Sequence, residues 1–363
     1  VRLERLAVAG FRNLAPAELD VDAPFVIWHG PNGEGKTNAL EAVHWLCTLK
    51  PLRAARPREL VPWGGDTAAV RGRVRLDGVT RWHEVSLGPT ARKVTVDERP
   101  AELAEHFAGV RCIAFQPADA EIVTGEPARR RAWIDRAAFT ASPAHLAAVR
   151  DLQRVLAHKA ALLRDRDADL DQLDVLDAQL ASVGAVVAGR RAAILDALTP
   201  HADEIHRTIA GGTGRLSLAH RTPATLPDRR QALLDRIAAV RAEERRRRQV
   251  LAGPQSDEVV LLLDGQPARA YASRGQARSI VLALKLAELV AARARGTVPL
   301  FLLDDASSEL DRARTARVVD ALGALGAQVF ATTTAPDHLG ALPSADTRRF
   351  AVASGHCSLE SLV

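Results

Sequence analysis

Phe25-Val26-Ile27-Trp28 leads, past His29, into Gly30-Pro31-Asn32-Gly33-Glu34-Gly35-Lys36-Thr37. The first stretch is a short apolar run, as a buried strand has. The second fits the phosphate-loop pattern G-x4-G-K-[ST]. Beyond it, Leu40, Val43, Leu46 and Leu49 recur every three residues, which predicts a helix with one apolar face. A strand, a glycine-rich turn and a helix in that order distinguish a nucleotide loop from a βα turn with a surface lysine. In such a loop, glycines let backbone N–H groups turn inward around phosphate oxygens, and the helix N-terminus adds positive potential. Gly30 to Asn38 are therefore candidate nucleotide-binding residues. Lys36 is placed to reach the β- and γ-phosphates, and the Thr37 hydroxyl to hold Mg²⁺.

The second half of such a site is an acidic residue after another buried strand. Pro299-Leu300-Phe301-Leu302-Leu303 ends in Asp304-Asp305. Asp304 is the candidate Mg²⁺ ligand, acting through water. Asp305 is the candidate general base for an attacking water. The two halves lie far apart in the chain, and the texture between them changes. Up to about residue 127 the pattern is mixed α/β. Val70, Gly72, Val74 and Leu76 alternate with Arg71, Arg73 and Arg75 ahead of an Asp77-Gly78 turn, as in an antiparallel hairpin. From 128 to 249 glycine thins out, and leucine and valine recur at helical spacing. Thr199-Pro200 marks either a kink or a new helix start. A helix is expected over about 228–251, with Glu243/Arg247 and Glu244/Arg248 pairs on an exposed face. Past Gly253-Pro254 the α/β pattern returns. The expected organisation is a discontinuous α/β domain, 1–127 plus 250–363, interrupted by a helical insertion domain, 128–249.

The 363 residues carry 49 basic and 44 acidic side chains, a formal surplus of +5 that permits a polyanionic partner without requiring one. Candidate DNA contacts are Arg71, Arg73 and Arg75 on one strand face, and Arg129, Arg130 and Arg131 where the helical texture begins. Aromatic residues are only 4%, and none joins these arginines, so single-strand binding by base stacking is disfavoured. Cys47, Cys112 and Cys357 have no metal or disulfide spacing, which points to reduced, mostly buried thiols in a cytoplasmic protein. The most apolar stretch, Ile280 to Ala292, contains Lys285 and Glu288, so no membrane span or membrane partner is expected.

Further motifs line up with these. Asp304-Asp305 leads into Ala306-Ser307-Ser308-Glu309-Leu310-Asp311, similar to the D-loop of ABC-type ATPases. Ala272-Ser273-Arg274-Gly275-Gln276-Ala277-Arg278-Ser279 precedes an apolar helix and resembles an ABC signature motif. Gly10-Phe11-Arg12-Asn13-Leu14, Phe115-Gln116-Pro117-Ala118-Asp119 and Gly125-Glu126-Pro127-Ala128-Arg129-Arg130-Arg131 resemble the RecF family of SMC-like, ABC-type ATPase heads. The likeness covers nearly the whole chain, in order. It implies an α/β ATPase head, with a P-loop mixed sheet, an antiparallel β subdomain and a helical insertion domain. It also implies an ATP-dependent homodimer in which Ser273, Gly275 and Gln276 of one subunit meet the γ-phosphate at Lys36 of the other, with Asp311 at the opposite subunit. Arg12 and Asn13 then sit near the nucleotide, and Gln116 acts as a Q-loop residue at the metal. The implied activity is weak, DNA-stimulated ATP hydrolysis. The implied partners are double-stranded DNA, single-strand/double-strand junctions and RecR, with RecO and RecA in the same pathway. A transporter ATPase subunit and a non-catalytic DNA clamp are the alternatives. An SMC-type head with a long coiled coil needs a far larger insert. The chain departs from the family at Thr332-Thr333, where transporter ATPases carry a switch histidine, and at Gln255, where the family has His then Arg.

Overall fold

The computed structural model describes residues 1–53, 56–165, 170–212, 214–222, 228–305, 312–339, 342 and 347–360. The chain divides into two compact units, Val1–Asp119 with Ile205–Thr213 and Arg274–Val363, and Ala120–Glu204 with Gly214–Ser273. Segment 250–273 thus packs with the second unit, whereas the sequence pattern groups it with the α/β segments.

The first unit holds two six-stranded sheets. One is antiparallel and orders its strands β2 (Ala17–Asp20), β1 (Arg2–Ala9), β4 (Ala68–Leu76), β5 (Val79–Leu87), β6 (Arg92–Val96) and β7 (Arg99–Pro100). On β4, Ala68, Val70, Gly72 and Val74 are buried while Arg73 and Arg75 are exposed, as the alternation predicted. The other sheet is β15 (His356–Leu359), β14 (Thr347–Ala353), β3 (Phe25–His29), β13 (Val329–Thr333), β12 (Leu300–Leu303) and β8 (Cys112–Phe115). All of its pairings are parallel except β14 with β15. Parallel strands covered on both faces read as unbroken apolar runs. That is why Phe25–Trp28 and Leu300–Leu303 are buried at every position. Trp28 stacks on Phe330 across β3 and β13, with ring centroids 5.6 Å apart. The helices of this unit include α1 (Lys36–Thr48), α2 (Leu103–Gly109), α9 (Arg274–Ala294) and α10 (Arg312–Ala324).

Gln328, 2% exposed, ties the two sheets together. Its Oε1 accepts from Leu3 N–H at 2.7 Å, and its Nε2 donates to the carbonyls of Leu3, Val21 and Ala23. Strand ends that would be buried with open hydrogen-bonding groups are satisfied by one side chain. A second buried polar contact joins β5 to α2. His83 Nδ1 and His106 Nδ1 lie 3.3 Å apart, and His106 Nε2 contacts the Leu46 carbonyl at 2.7 Å, so this imidazole donates to the last turn of α1.

The second unit comprises α3 (Glu121–Thr124), α4 (Pro127–Ala141), α5 (Ala144–Arg164), α7 (Arg229–Arg247), α8 (Ala268–Tyr271) and α6 (Leu170–Ala210) as far as Glu204. Its small antiparallel sheet is β11 (Gln266–Pro267), β10 (Glu258–Leu263) and β9 (Leu216–Arg221). Leu152 and Val155 of α5, Leu180 and Val187 of α6, and Leu233 and Ile237 of α7 form its core. Pro200 lies inside α6, and the helix is assigned without a break through it. The helix expected to reach 251 stops at Arg247, because Arg248 turns left-handed at φ 53°. Glu243 does pair with Arg247 and Arg246. Glu244 does not face solvent as expected. It is fully buried, forms an ion pair with Lys159 Nζ at 2.7 Å and accepts from Leu251 N–H at 2.8 Å, while Lys159 also pairs with Asp177 at 2.6 Å. Spacing alone does not reveal which face of α7 the neighbouring helices cover.

Burial depresses the pKa of the His83 and His106 imidazoles to about 4, with His106 adding to the effect at His83 and Arg92 adding to it at His106 against the Leu46 hydrogen bond. Between pH 6.5 and 4 the unfolded chain binds protons at these rings that the folded chain refuses. Their contribution to stability is complete above pH 6.5 and is lost as pH falls through that window. The expected loss is about 2 kcal/mol or more between pH 6.5 and 4.5. Urea melts across that range measure it, and a His83→Asn, His106→Gln double variant flattens this part of the profile.

Candidate functional site

The loop between β3 and α1 has its shape because three of its glycines adopt positive φ. Gly30 sits at φ 143°, and a Cβ there would fall 2.5 Å from the Val352 carbonyl on β14. Gly35 sits at φ 115°, with Asn13 Oδ1 2.9 Å from its would-be Cβ. L-residues resist this conformation, so the glycine spacing is a backbone requirement. Lys36 is 8% exposed and folds back over the loop. Its Nζ donates to the carbonyls of Gly30 and Pro31, each at 2.6 Å, and approaches Asn32 Oδ1 at 3.4 Å. Burial lowers its pKa, while Asp305, Asp304 and Glu34 act in the opposite sense.

Asp304 follows β12 and is 6% exposed. One carboxylate oxygen, Oδ1, accepts from Thr37 Oγ1 at 3.0 Å and from Thr332 Oγ1 at 2.8 Å. Burial raises the carboxyl pKa, and the two hydroxyl bonds and the charge of Arg53 oppose that rise. The Thr332 hydroxyl also accepts from Asp305 N–H at 2.8 Å, which steadies Asp305 at a left-handed φ of 52°. Thr333 turns away, its hydroxyl donating to the Ala335 carbonyl at 2.9 Å. Of the two threonines offered by the sequence as the switch position, Thr332 touches the Asp304 carboxylate and the Asp305 backbone.

A cavity of about 480 Å³ is lined by Asn32, Gly33, Gly35, Lys36, Thr37 and Asn38 from the loop and α1, and by Asp304, Asp305 and Thr332 from the strand ends. Gln116, Pro117 and Ala118 line it after β8. The geometry thus gathers two segments 267 positions apart. Gly30 and Pro31 contribute carbonyls to Lys36. Glu34 points elsewhere, its carboxylate accepting from Ser354 N–H and its carbonyl from Gly355 N–H. Asn13 touches α1 through Asn38 Nδ2 at 2.6 Å, and Arg12 donates to Glu41 at 2.8 Å, so both act on the loop from behind. Gly275 and Gln276 are absent from the cavity lining, and Ser273 is exposed directly ahead of α9. Asp311 and the rest of 306–311 lie outside the described residues.

Two residues escaped the sequence reading. Arg53 lines the cavity. Glu41, fully buried on α1, accepts from Arg12 and from the backbone N–H groups of Leu52 and Arg53 at 2.9 and 3.3 Å. It fixes the segment that brings Arg53 to the cavity. The available signal was a carboxylate between Leu40 and Ala42 on an otherwise apolar face. Nothing comparable marked Arg53.

The six candidate DNA contacts separate by environment. Arg130 is 3% exposed and donates to Glu258 Oε1, the Gly125 carbonyl and the Ile122 carbonyl, so, contrary to expectation, it holds the fold and is not available to a DNA phosphate. Arg131 is half-buried on the Asp257 carbonyl at 2.9 Å. Arg71 pairs with Glu98 and lies 4.2 Å over the Trp82 ring, and Arg73 and Arg75 share Glu4. Arg129 pairs with Glu121. Exposed pairs like these hold weakly and can exchange for phosphate. Gln255 donates to the Ala252 carbonyl and sits tightly against Gly253, in the second unit.

The chain matches the family described as RecF/RecN/SMC N terminal domain over residues 2–346. It is 41% identical over 346 residues to the DNA replication and repair protein RecF of Myxococcus xanthus, covering 92% of this chain and 91% of that one. The RecF of an Anaeromyxobacter species is 39% identical over 367 residues, covering 99% of each. Among solved structures, the recombination mediator protein RecF with ATP, from the RecFOR pathway, superposes with a TM-score of 0.87 at 25% identity, over 99% of this chain and 98% of that one. An Smc head bound to the C-winged helix domain of ScpA shares the fold, with a TM-score of 0.57 at 16% identity over 100% of this chain and 98% of that one. Among the described residues, no helix is long and apolar enough to cross a membrane.

Replacing Thr332 by Val removes one of two hydroxyls from a buried carboxylate. The expected cost is about 1–2 kcal/mol of stability, with weaker nucleotide binding. Thr333→Val is expected to cost less at the nucleotide. Chemical denaturation and calorimetric titration with ATP compare the two.

Proposed function

The chain belongs to the RecF family of DNA replication and repair proteins, and from that premise we propose that it is an ATP-driven DNA clamp of recombinational repair. The observation that carries the reading is the convergence of Lys36, Thr37, Asp304, Asp305 and Thr332 on one cavity. Lys36 is held by backbone carbonyls that a phosphate oxygen can replace, so the β/γ-phosphates take its ammonium. The inward amides of the loop and the start of α1 bind the same oxygens. The fit to Mg²⁺ rests on the donor set, all oxygen: the Thr37 hydroxyl, the buried Asp304 carboxylate and Gln116. When bound, the ion neutralises charge on the phosphates. Asp305, positioned by Thr332, is assigned as the base that takes a proton from the attacking water.

Ser273, Gly275 and Gln276 lie at the start of the 21-residue α9, where a hydroxyl and the positive end of a helix suit an anion. The absence of Gly275 and Gln276 from the cavity lining favours use of this helix start on the nucleotide of a second copy. ATP then bridges two subunits. Hydrolysis within this composite site is slow and is stimulated by double-stranded DNA. DNA binding near single-strand gaps, cooperation with RecR, and loading of RecA with RecO complete the reading, in the cytoplasm. Arg71, Arg73, Arg75 and Arg129 remain the proposed phosphate contacts. A non-catalytic clamp shares all of this except turnover, and an Asp305→Asn comparison of ATPase rates separates the two.

Sedimentation velocity tests dimerisation. The wild type is expected to move from monomer to dimer on adding MgATP, and Lys36→Ala to stay monomeric. A Lys36→Ala protein that dimerises on ATP overturns the composite-site reading. Raising salt from 50 to 200 mM should weaken duplex binding by at least tenfold if several arginines meet phosphates.

A further inference from the structure

Four of the five tryptophans are sheltered. Trp28, Trp45 and Trp133 are fully buried, and Trp82 is half-buried beneath Arg71. Trp63 is the exception, at 105% of its reference exposure. It stands at the tip of a turn, Pro62-Trp63-Gly64-Gly65, closed by Gly65 N–H donating to the Pro62 carbonyl at 3.0 Å. The turn follows a single 3₁₀ turn, Pro57–Leu60, anchored by buried Leu60 and by Arg12 N–H on the Leu60 carbonyl at 2.7 Å. The indole therefore stands in water on a supported base, and among the described residues none covers its apolar faces.

Its surroundings choose the partner. Lys50, Arg53, Arg56 and Arg58 stand against Glu59 and Asp66 in the described part of 50–66. The Glu59 carboxylate is occupied by Arg56 N–H at 3.2 Å, and Asp66 holds Arg58 through its carbonyl at 3.0 Å and its carboxylate at 3.9 Å. The Arg56 guanidinium is exposed and makes no ion pair among the described residues. An exposed aromatic ring, with an available guanidinium seven residues before it across one 3₁₀ turn, can take a nucleobase on the ring and a phosphate on the guanidinium. Duplex interiors offer no free base face. An unpaired base, as in a gap or a single strand, does.

We propose that Trp63 stacks on an unpaired nucleobase, with Arg56 on the adjoining phosphate, so that this turn distinguishes gapped DNA from continuous duplex. The sequence disfavours base stacking because no aromatic joins the candidate arginines; the exposure of Trp63 is a tertiary property that aromatic content does not report. The proposal rests on the DNA-binding reading above and names the DNA feature that the site takes.

The test uses the full chain with MgATP and two probes, a blunt duplex and the same duplex carrying a single-strand gap. Gapped DNA should quench the exposed tryptophan emission and shield it from acrylamide, and blunt duplex should do neither. Trp63→Ala should lose that signal and bind gapped DNA about tenfold more weakly, with blunt-duplex binding unchanged. Trp63→Phe should retain most of the gap preference. Equal binding of gapped DNA by Trp63→Ala and wild type overturns the proposal, as does an equal loss on both probes. If wild type binds blunt duplex without any gap-dependent quenching, stacking fails and the DNA-binding reading stands. If wild type binds neither probe, that reading fails as well.

Discussion

The buried Asp304 carboxylate is the constraint on which the site depends. A charge with little access to water is costly unless hydrogen bonds surround it. Here one oxygen takes hydroxyls from Thr37 at the start of α1 and Thr332 on β13, while Asp304 itself follows β12. Three elements from distant parts of the chain are thereby held at one corner. Parallel pairing of β12 and β13, with Phe301 opposite Val329 and Leu303 opposite Ala331, puts those ends level. The sheet register makes the contact possible, and the contact makes the strand ends a site.

Around that corner, buried polar side chains position the backbone. Gln328 satisfies strand ends of both sheets, and Glu41 gathers Arg12 and the 52–53 amides onto α1. Each group replaces several water contacts with fixed partners, and removing one leaves the others open, which costs more than the bond itself contributed. The second unit uses the same device. Arg191 grips Asp135 with two 2.8 Å bonds and reaches the Pro254 carbonyl at 2.6 Å, and Asp135 is held down to about 2 by His145 and Arg191 against its own burial. Lys159 with Asp177 and Glu244 does likewise between the helices. Such networks specify one packing among the many that an alanine- and leucine-rich bundle permits.

What was legible in the sequence was local or periodic. The phosphate loop could be read because its glycines answer a backbone demand that no other residue meets. The strands β3 and β12 could be read because burial on both faces forces an unbroken apolar run. The alternation of β4 could be read because one face meets the core and the other water. Arg53, Glu41 and Thr332 were harder, since their roles come from partners remote in the chain or from the path of the backbone. The arginine triplet shows the reverse. Arg129, Arg130 and Arg131 look equivalent in sequence, yet a helix turns each by about 100°, and Arg130 alone faces the interior.

By itself, then, the sequence determined an α/β nucleotide-binding head with its loop and acidic strand end, because period, glycine placement and apolar run length are properties of short stretches. Only the tertiary structure decided which threonine reaches Asp304, which arginines remain available to a polyanion, and that Trp63 stands in water. Those outcomes depend on which surfaces are covered, and covering is settled by elements far away in the chain.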